Sequence, residues 1–231
     1  MSTRETVRVS GPDAAAYLQG QISQDVQALA AGDVAWSLVL QPTGKVDAWF
    51  RIQRVDDETF LLDVEAGHRD TLVARLSRFL LRTNATIEPV DASIDAPVTW
   101  PGAADPTDER QRILAGMPRM GTELTEDTIP GEGGQQLIDL SVSFTKGCYT
   151  GQELVARIDS RGGNVPRPIR VLQADGDMAV GDEVRAGADV VGVVTSAAGD
   201  VALAPMMRKV ELGDQVTVGS VTASVVEPAR S

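Results

Sequence analysis

The chain has 231 residues, of which 42% are hydrophobic, 23% are charged and only 4% are aromatic. This is an ordinary globular composition, and the chain is long enough to bury a core of Val, Leu, Ile and Ala without a metal or disulfide staple. The net charge of −12 argues against direct nucleic acid binding, where a basic surface should dominate.

The chain contains one cysteine and one histidine. A structural zinc site needs four such ligands and an iron–sulfur cluster normally takes four thiolates, so the sequence predicts no stably bound metal. No stretch approaches the ~20 apolar residues of a membrane span, and the opening MSTRETVRVSG lacks the apolar run of a secretory signal. We therefore expect a cytoplasmic protein that does not bind membranes.

The first part of the chain alternates helix and strand signals. Pro12 can occupy the first turn of a helix whose apolar residues continue at helical spacing as far as Leu29. The runs 36–41 and 46–55, joined by the turn PTGK, predict a β-hairpin. The other elements expected here are a strand at 59–64, a helix through 72–80 and a strand near 85–90.

The later parts of the chain have a different composition. From residue 91 to about 136 the chain is rich in Pro, Asp, Ala and Gly, which predicts a connecting region with one short helix near 108–114. Beyond Arg161, about six short β-branched runs separated by Gly and Asp predict a small antiparallel barrel. The predicted fold class is therefore α+β, divided into an N-terminal α+β domain (1–90), a middle region (91–163) and a C-terminal antiparallel β-barrel (164–231).

The segment KGCYTGQE, residues 146–153, contains the cysteine. Thr150 and Glu153 have the T-x-x-E spacing of a capping box, which predicts a helix that begins there and ends before Gly162. Cys148 would then lie just before a helix N-terminus, where unpaired amides favour a thiolate, and the charge of Lys146 could add to that effect. A free cysteine is most often a small buried apolar residue, so local chemistry leaves function and packing both open.

The string KGCYTGQE, followed by VAR at 155–157 and RG at 161–162, resembles the signature of the YgfZ-type folate-binding proteins, relatives of the glycine-cleavage T-protein (GcvT). The resemblance extends to GPDAAAYLQGQISQDV, LQPTGKV, RLSRFLLR, RILAGMP and VGVVTS. It implies a GcvT-like fold, in which an α+β domain, a middle domain and a small barrel surround a channel. It also implies a reduced folate, tetrahydrofolate or a related form, as ligand, and a role in iron–sulfur cluster assembly or repair that supports cluster-dependent tRNA-modifying enzymes.

The resemblance makes Cys148 and Lys146 the candidate catalytic residues. The candidate cofactor-binding residues are Gly147, Tyr149, Gly151, Gln152, Glu153, Arg157, Gln19 and Lys45. For Gln19 and Lys45 the alternatives are a solvated helix face and an exposed turn. Three arginines lie on one stripe of the predicted helix: Arg75, Arg78 and Arg82. This stripe either lines an anion channel or faces the solvent. The expected partners are the folate and iron–sulfur proteins or assembly factors.

Two departures from the family pattern bear on the chemistry. The stretch 87–118 is shorter than the family's middle domain. T-protein enzymes carry an acidic pair in the first hairpin that works on the folate-bound carbon, and alignment places Ala48 and Trp49 there, with Asp47 displaced by one residue. Such a shift in a strand turns the side chain to the opposite face. The sequence therefore predicts an accessory protein rather than a self-contained enzyme. The alternatives are a tetrahydrofolate-dependent, aminomethyltransferase-like one-carbon enzyme that uses Asp47 or Asp25, and a binding module without a folate pocket.

Overall fold

A computed structural model describes residues 4–230 of the chain. These residues form two compact units, each made of three segments. The first unit contains the residues up to Pro97 together with Thr125–Pro130 and Ile138–Ser160. The second unit contains Val98–Leu124, Gly131–Leu137 and the residues from Arg161 onwards. The division into 1–90, 91–163 and 164–231 stays a prediction.

The N-terminal part of the chain builds one antiparallel sheet with two helices. In chain order its elements are β1 (Arg4–Ser10), α1 (Ala14–Gln21), a 3-10 helix (Val26–Ala28), β2 (Val34–Leu40), β3 (Val46–Arg54), β4 (Thr59–Glu65), α2 (Arg69–Ser77) and β5 (Thr86–Val90). The strand order β2-β3-β4-β1-β5 puts the first strand inside the sheet. In β1, Val7 and Val9 are fully buried and Arg8 is exposed, the alternation of a strand with one covered face. This strand was not predicted, whereas β2 to β5 confirm the predicted hairpin and the two strands that follow it.

The predicted first helix is too long. α1 ends at Gln21, and the next residue, Ile22, has an extended backbone (φ −115°, ψ 160°) that pairs with Val39 of β2. The N–H of Ser23 then donates to the carbonyl oxygen of Leu38 at 2.9 Å. The chain after α1 therefore leaves the helix because β2 offers its main chain other hydrogen-bond partners. The second predicted helix, 72–80, lies three residues earlier than expected, since α2 begins at Arg69 and ends at Ser77.

The middle of the chain contributes three α-helices: α3 (Glu109–Leu114), α4 (Gln135–Ser141) and α5 (Gln152–Ser160). Asp108 caps α3 by accepting a hydrogen bond of 2.9 Å from the N–H of Gln111, which confirms the predicted short helix. α4 was not predicted; a 3-10 helix at Pro130–Gly133 lies just before it. Within residues 4–230, no helix has the length and apolar character required to span a membrane.

The C-terminal part of the chain is a curled antiparallel sheet of short strands. They are β6 (Ile169–Ala174), β7 (Glu183–Ala186), β8 (Asp189–Val193), β9 (Ser196–Ala198), β10 (Val201–Pro205), β11 (Gln215–Val218) and β12 (Val221–Val226), in the order β8-β7-β11-β12-β6-β10-β9. A bridge between Gly192 and Met206 joins β8 to the end of β10. Buried Val, Ala, Leu and Met side chains fill the interior. The predicted small barrel is thereby confirmed as a half-barrel sheet.

Two buried charges hold a segment of the second unit against this sheet. Arg112 of α3 is 1% exposed and Glu123 is 2% exposed. Glu123 accepts hydrogen bonds from the hydroxyls of Thr195 (2.7 Å) and Ser196 (2.6 Å), and its Oε2 lies 3.6 Å from Nη1 of Arg112. The stretch around 109–123, predicted as a connecting region, is thus fixed by a satisfied polar network.

Candidate functional site

The KGCYTGQE segment packs against the turn that joins β2 to β3. Gly151 has φ +82°, and a β-carbon built on it would lie 2.5 Å from the carbonyl oxygen of Gln41 and 2.7 Å from the β-carbon of Leu40. Gly44 in the turn has φ +85°, and a β-carbon there would lie 2.5 Å from that of Leu154. Both positions therefore require glycine, for conformation and for space. The motif and the PTGK turn are shaped to fit each other.

Lys146 anchors the start of the motif to the end of α1. Its Nζ atom donates hydrogen bonds to the carbonyl oxygens of Ile22 (2.7 Å) and Gln24 (2.8 Å), and it lies 5.2 Å from the ring centroid of Tyr149. Burial lowers the pKa of Lys146 to about 8, and the nearby Asp25 carboxylate opposes this shift. Lys146 therefore has main-chain partners of its own, and its proposed action on Cys148 stays a prediction.

Hydrogen bonds also hold the main chain after Cys148 in place, as those of Lys146 do before it. Tyr149 is buried, burial raises its pKa to about 12, and its N–H donates to Oε1 of Gln152 at 3.1 Å. The N–H of Thr150 donates to the carbonyl oxygen of Gly20 at 3.2 Å. The predicted capping box is wrong in detail, because α5 begins at Gln152 and the side chain that reaches back belongs to Gln152 rather than Glu153.

Cys148 is a free, exposed thiol. It lies four residues ahead of the first residue of α5, further from the helix N-terminus than the capping box predicts. Gly147 is exposed as well, and no heavy atom lies within 4 Å of a β-carbon built on it. The thiol thus stands in an open loop that is tied down on both sides, by Lys146 before it and by the Thr150–Gly151 contacts after it.

The other predicted ligand residues are distributed around this loop. Both ends of the Gln19 side-chain amide have partners, since Nε2 donates to Asp25 (2.9 Å) and Oε1 accepts from the N–H of Val26 (2.8 Å). Lys45 forms an exposed ion pair of 2.6 Å with Asp127. Glu153 and Arg157 are exposed on α5. Their role in ligand binding stays a prediction.

One of the three arginines of the predicted stripe is buried and lies at the end of β2. Arg75 of α2 is 6% exposed; its Nε and Nη2 atoms both donate to the carbonyl oxygen of Leu40 (3.1 and 2.8 Å), and Nε lies 3.1 Å from Oδ2 of Asp47. Burial lowers the pKa of Arg75 and raises that of Asp47, and the two charges partly offset these shifts. Arg78 and Arg82 are exposed, so the three arginines do not share one environment.

Phe79 lies just after the end of α2 and is 45% exposed, and its ring centroid lies 5.0 Å from Cζ of Arg75. The family string RLSRFLLR contains both residues and was the available signal for this cluster. It could not indicate which arginine is buried, because its spacing predicts one helical stripe for all three, whereas α2 ends at Ser77 and contains only Arg75.

Among the residues that the structure describes, no group of three or more His, Cys, Asp or Glu side chains could hold a metal ion. Three buried side-chain atoms of the first unit, by contrast, have no hydrogen-bond partner within residues 4–230: Oε1 of Gln21, Nε of Arg69 and Nη1 of Arg75. Unpaired buried polar atoms are uncommon in folded proteins. An unpaired acceptor and an unpaired donor suit a polar organic ligand such as a folate.

Comparison with known proteins gives likenesses in sequence and in structure. Residues 1–97 match the GCVT N-terminal domain family. An uncharacterized protein of Haemophilus influenzae is 28% identical over 84% of this chain and 81% of its own length. A tRNA-modifying protein YgfZ of Edwardsiella ictaluri is 28% identical over 68% of this chain. A mitochondrial iron–sulfur cluster assembly factor IBA57 homologue of Pyricularia oryzae is 25% identical over 70% of it.

The alignments span only 65% of that YgfZ protein and 54% of that IBA57 homologue. Among solved structures, the glycine cleavage system aminomethyltransferase T of Bartonella henselae superposes with a TM-score of 0.78 over 98% of this chain and 83% of that chain, at 15% sequence identity. This confirms the GcvT-like fold. Together the likenesses confirm the family resemblance that the cysteine motif indicates.

Proposed function

We propose that this chain, a YgfZ-type protein of the GcvT-like family, is a folate-binding accessory protein in iron–sulfur cluster assembly or repair and acts through Cys148. The observation that carries the proposal is the exposed thiol of Cys148, held in a loop that Lys146 and Gly151 fix on either side. A firmly placed thiol that is open to solvent suits an encounter with another protein, whereas a thiol used for packing would be buried.

One thiol cannot hold a cluster by itself, since a cluster normally takes four thiolates. We therefore assign Cys148 to an exchange with a partner. Its thiolate either takes the outer sulfur of a partner's persulfide, whose S–S bond breaks to leave a partner thiolate, or serves for a short time as one ligand of a cluster whose other ligands the partner supplies. The partners proposed are iron–sulfur proteins and assembly factors, including those that serve tRNA modification. The names of the YgfZ and IBA57 relatives support this assignment. A cytoplasmic location stays a prediction.

A reduced folate is the proposed ligand, and the buried unpaired atoms of Arg75 and Gln21 fit such a molecule. Around the motif, the residues proposed to contact it are Gly147, Tyr149, Gly151, Gln152, Glu153, Arg157, Gln19 and Lys45. A reduced folate, when bound, supplies a carrier for one-carbon units. The chain's own part is to bind and orient it beside the Cys148 loop.

The test is complementation in cells that lack the chain. We expect Cys148→Ala to lower the activity of cluster-dependent enzymes, while the purified variant remains folded. Thr145→Ala, an exposed change in the same loop, is the matched control and should leave those activities at the wild-type level. Wild-type enzyme activities in cells that carry Cys148→Ala would contradict the proposal.

A second candidate is a tetrahydrofolate-dependent one-carbon enzyme of the aminomethyltransferase kind. The observation in its favour is Asp47, a partly exposed carboxylate in the first hairpin. Burial raises the pKa of this carboxylate. An acid or base in this position could serve proton transfer on a bound folate. Incubation with tetrahydrofolate and an aminomethyl donor decides between the two: turnover that is lost in Asp47→Asn would favour the enzyme, and absence of turnover would exclude it.

A further inference from the structure

A helix covers part of the outer face of the C-terminal sheet. In the second unit, α3 packs where β6 and β10 pair, and four buried residues form a cluster there: Ile113, Val171, Val201 and Leu203. In the ladder of these strands, Val171 lies opposite Leu203, and Ile169 lies opposite Pro205. Alternate pairs of a ladder face the same side of the sheet, so these residues share one apolar face.

The same face continues beyond the ends of β6 and β10. Two main-chain hydrogen bonds extend the ladder, from the N–H of Met206 to the carbonyl oxygen of Pro168 (3.0 Å) and from that of Arg208 to Pro166 (3.1 Å). In this register Met207 stands opposite Arg167, on the side of the sheet that α3 covers further along. Met207 is 44% exposed, so the cover ends before this residue within residues 4–230.

A groove of about 400 Å³ lies on this exposed part of the face, between β8 and the end of β10. Three large apolar side chains line it, and each of them is between 38% and 44% exposed: Val190, Val193 and Met207. Single apolar residues are common on protein surfaces, whereas several that line one concavity indicate a binding surface. The groove lies wholly in the second unit.

The free charges at this groove are positive. Arg167 lines the groove and Arg208 follows Met207; both are exposed, and neither side chain has a hydrogen bond or an ion pair among the described residues. The acidic side chains of the neighbouring strands β7 and β8 are already paired, Glu183 with Arg185 and Asp189 with Lys209, each at 2.6 Å. The chain as a whole carries a charge of −12, so this surface is a local reversal of charge.

We propose that this groove docks a short segment of a partner protein in which a large apolar side chain stands next to carboxylates. The apolar side chain enters between Val193 and Met207, and the carboxylates pair with Arg167 and Arg208. Such complementarity of shape and charge is what selects one partner over others. The proposal goes beyond the proposed function, because it uses neither Cys148 nor a folate.

Two other occupants fit this surface less well. A small anion would pair with the arginines but would leave the apolar walls of the groove in water. An anionic membrane is typically held by a cluster of about four to eight Lys or Arg, whereas only Arg167 and Arg208 are free here. A segment that is both apolar and acidic satisfies the walls and the charges together.

The test selects binders from a library of random dodecapeptides displayed on phage, with the full chain as bait. We expect the selected peptides to contain a large apolar residue next to Asp or Glu. Synthetic copies of these peptides should bind Met207→Glu about tenfold more weakly than the wild type, because the new carboxylate pairs with Arg167 and repels the peptide. Leu212→Glu is the matched control, the same kind of change at an exposed apolar residue outside the groove, and should bind as the wild type does.

The charge part of the proposal has its own readout. Peptide binding should weaken as salt is added, and the double variant Arg167→Gln, Arg208→Gln should bind more weakly and lose most of this salt dependence. Selected peptides without acidic residues, or wild-type affinity in Met207→Glu, would overturn the proposal. If no such peptides are selected and Met207→Glu instead abolishes dimerisation in sedimentation or binding to vesicles with anionic lipid, the occupant is a second copy or a membrane, and the proposal is equally overturned.

Discussion

The Nζ atom of Lys146 lies 2.7 Å from the carbonyl oxygen of Ile22, the residue that caps α1. This hydrogen bond joins the functional motif to a position 124 residues earlier in the chain. The ammonium group sits where the carbonyl groups of a helix end are left without helical partners, which is a favourable place for a cation. The motif is therefore held by the N-terminal helix as well as by the hairpin turn.

The lowered pKa of Lys146 predicts a pH dependence of stability. The unfolded chain keeps this proton up to its ordinary pKa of 10.5, whereas the folded chain releases it near pH 8. Between these values the unfolded state binds more protons, so the free energy of unfolding should rise with pH. Urea unfolding from about pH 7 to about pH 9.5 should show this rise in the wild type relative to Lys146→Met.

The titration of Tyr149 sets the upper limit of the pH range in this experiment. Its folded pKa of about 12 lies above the ordinary value of 10.0, so at higher pH the unfolded state loses the phenolic proton first and stability should fall. Parallel pH profiles for the wild type and Lys146→Met below pH 10 would contradict the prediction for Lys146.

Gly151→Ala should destabilise the protein strongly. The substitution places a β-carbon at positive φ and within 2.7 Å of two atoms of Leu40 and Gln41. We expect a loss of about 3 kcal/mol in the free energy of unfolding, measured by urea denaturation. The control is Gly32→Ala, where φ is +92° but no heavy atom is within 4 Å of the new carbon. It should cost only about 1 kcal/mol, and equal losses in the two variants would rule out a tight contact at Gly151.

Cys148→Ala should leave stability unchanged while Tyr149→Ala should not. Cys148 is exposed, so its truncation should alter the free energy of unfolding by less than about 0.5 kcal/mol. Tyr149 is 8% exposed, and its removal should cost about 3 kcal/mol.

The exposure of Cys148 can also be checked by its reactivity. In the native wild type, a thiol reagent should label one site per chain as fast as it labels an unprotected thiol. Labelling that begins only in denaturant would show that Cys148 is covered.

Glu123→Gln should destabilise the second unit. The carboxylate is buried and accepts hydrogen bonds from two hydroxyls, whereas the amide of glutamine has only one oxygen that accepts and an NH2 group that donates. Arg112 keeps its closer pair with Glu109, so we expect a loss of about 2 kcal/mol, the cost of buried polar atoms that lose their hydrogen-bond partners. Glu183→Gln removes an exposed ion pair with Arg185 and should cost less than about 0.5 kcal/mol in the same denaturation experiment. Similar losses for both variants would contradict the role given to Glu123.

Local sequence was informative wherever the determining contacts lie nearby in the chain. The hairpin of β2 and β3 follows from two β-prone runs and a PTGK turn, and α3 from its Asp108 cap. Local sequence gave a wrong prediction where the hydrogen-bond partner is distant in the chain. Ile22 is an example, because its pairing with β2 outweighed its helical spacing to Val26. A periodic pattern records which residues are buried, and two different main-chain paths can bury the same residues.

The sequence by itself determined the α+β fold class, the small C-terminal barrel and the cysteine motif with its family. Only the tertiary structure decided what each polar residue of the site does. Lys146 finds carbonyl groups rather than the thiol, Arg75 is buried while Arg78 is exposed, and Gln21 is left with an unpaired oxygen. The reason is that a hydrogen bond depends on position to within a fraction of an ångström, and positions so far apart in the chain are set by the packing of the whole unit.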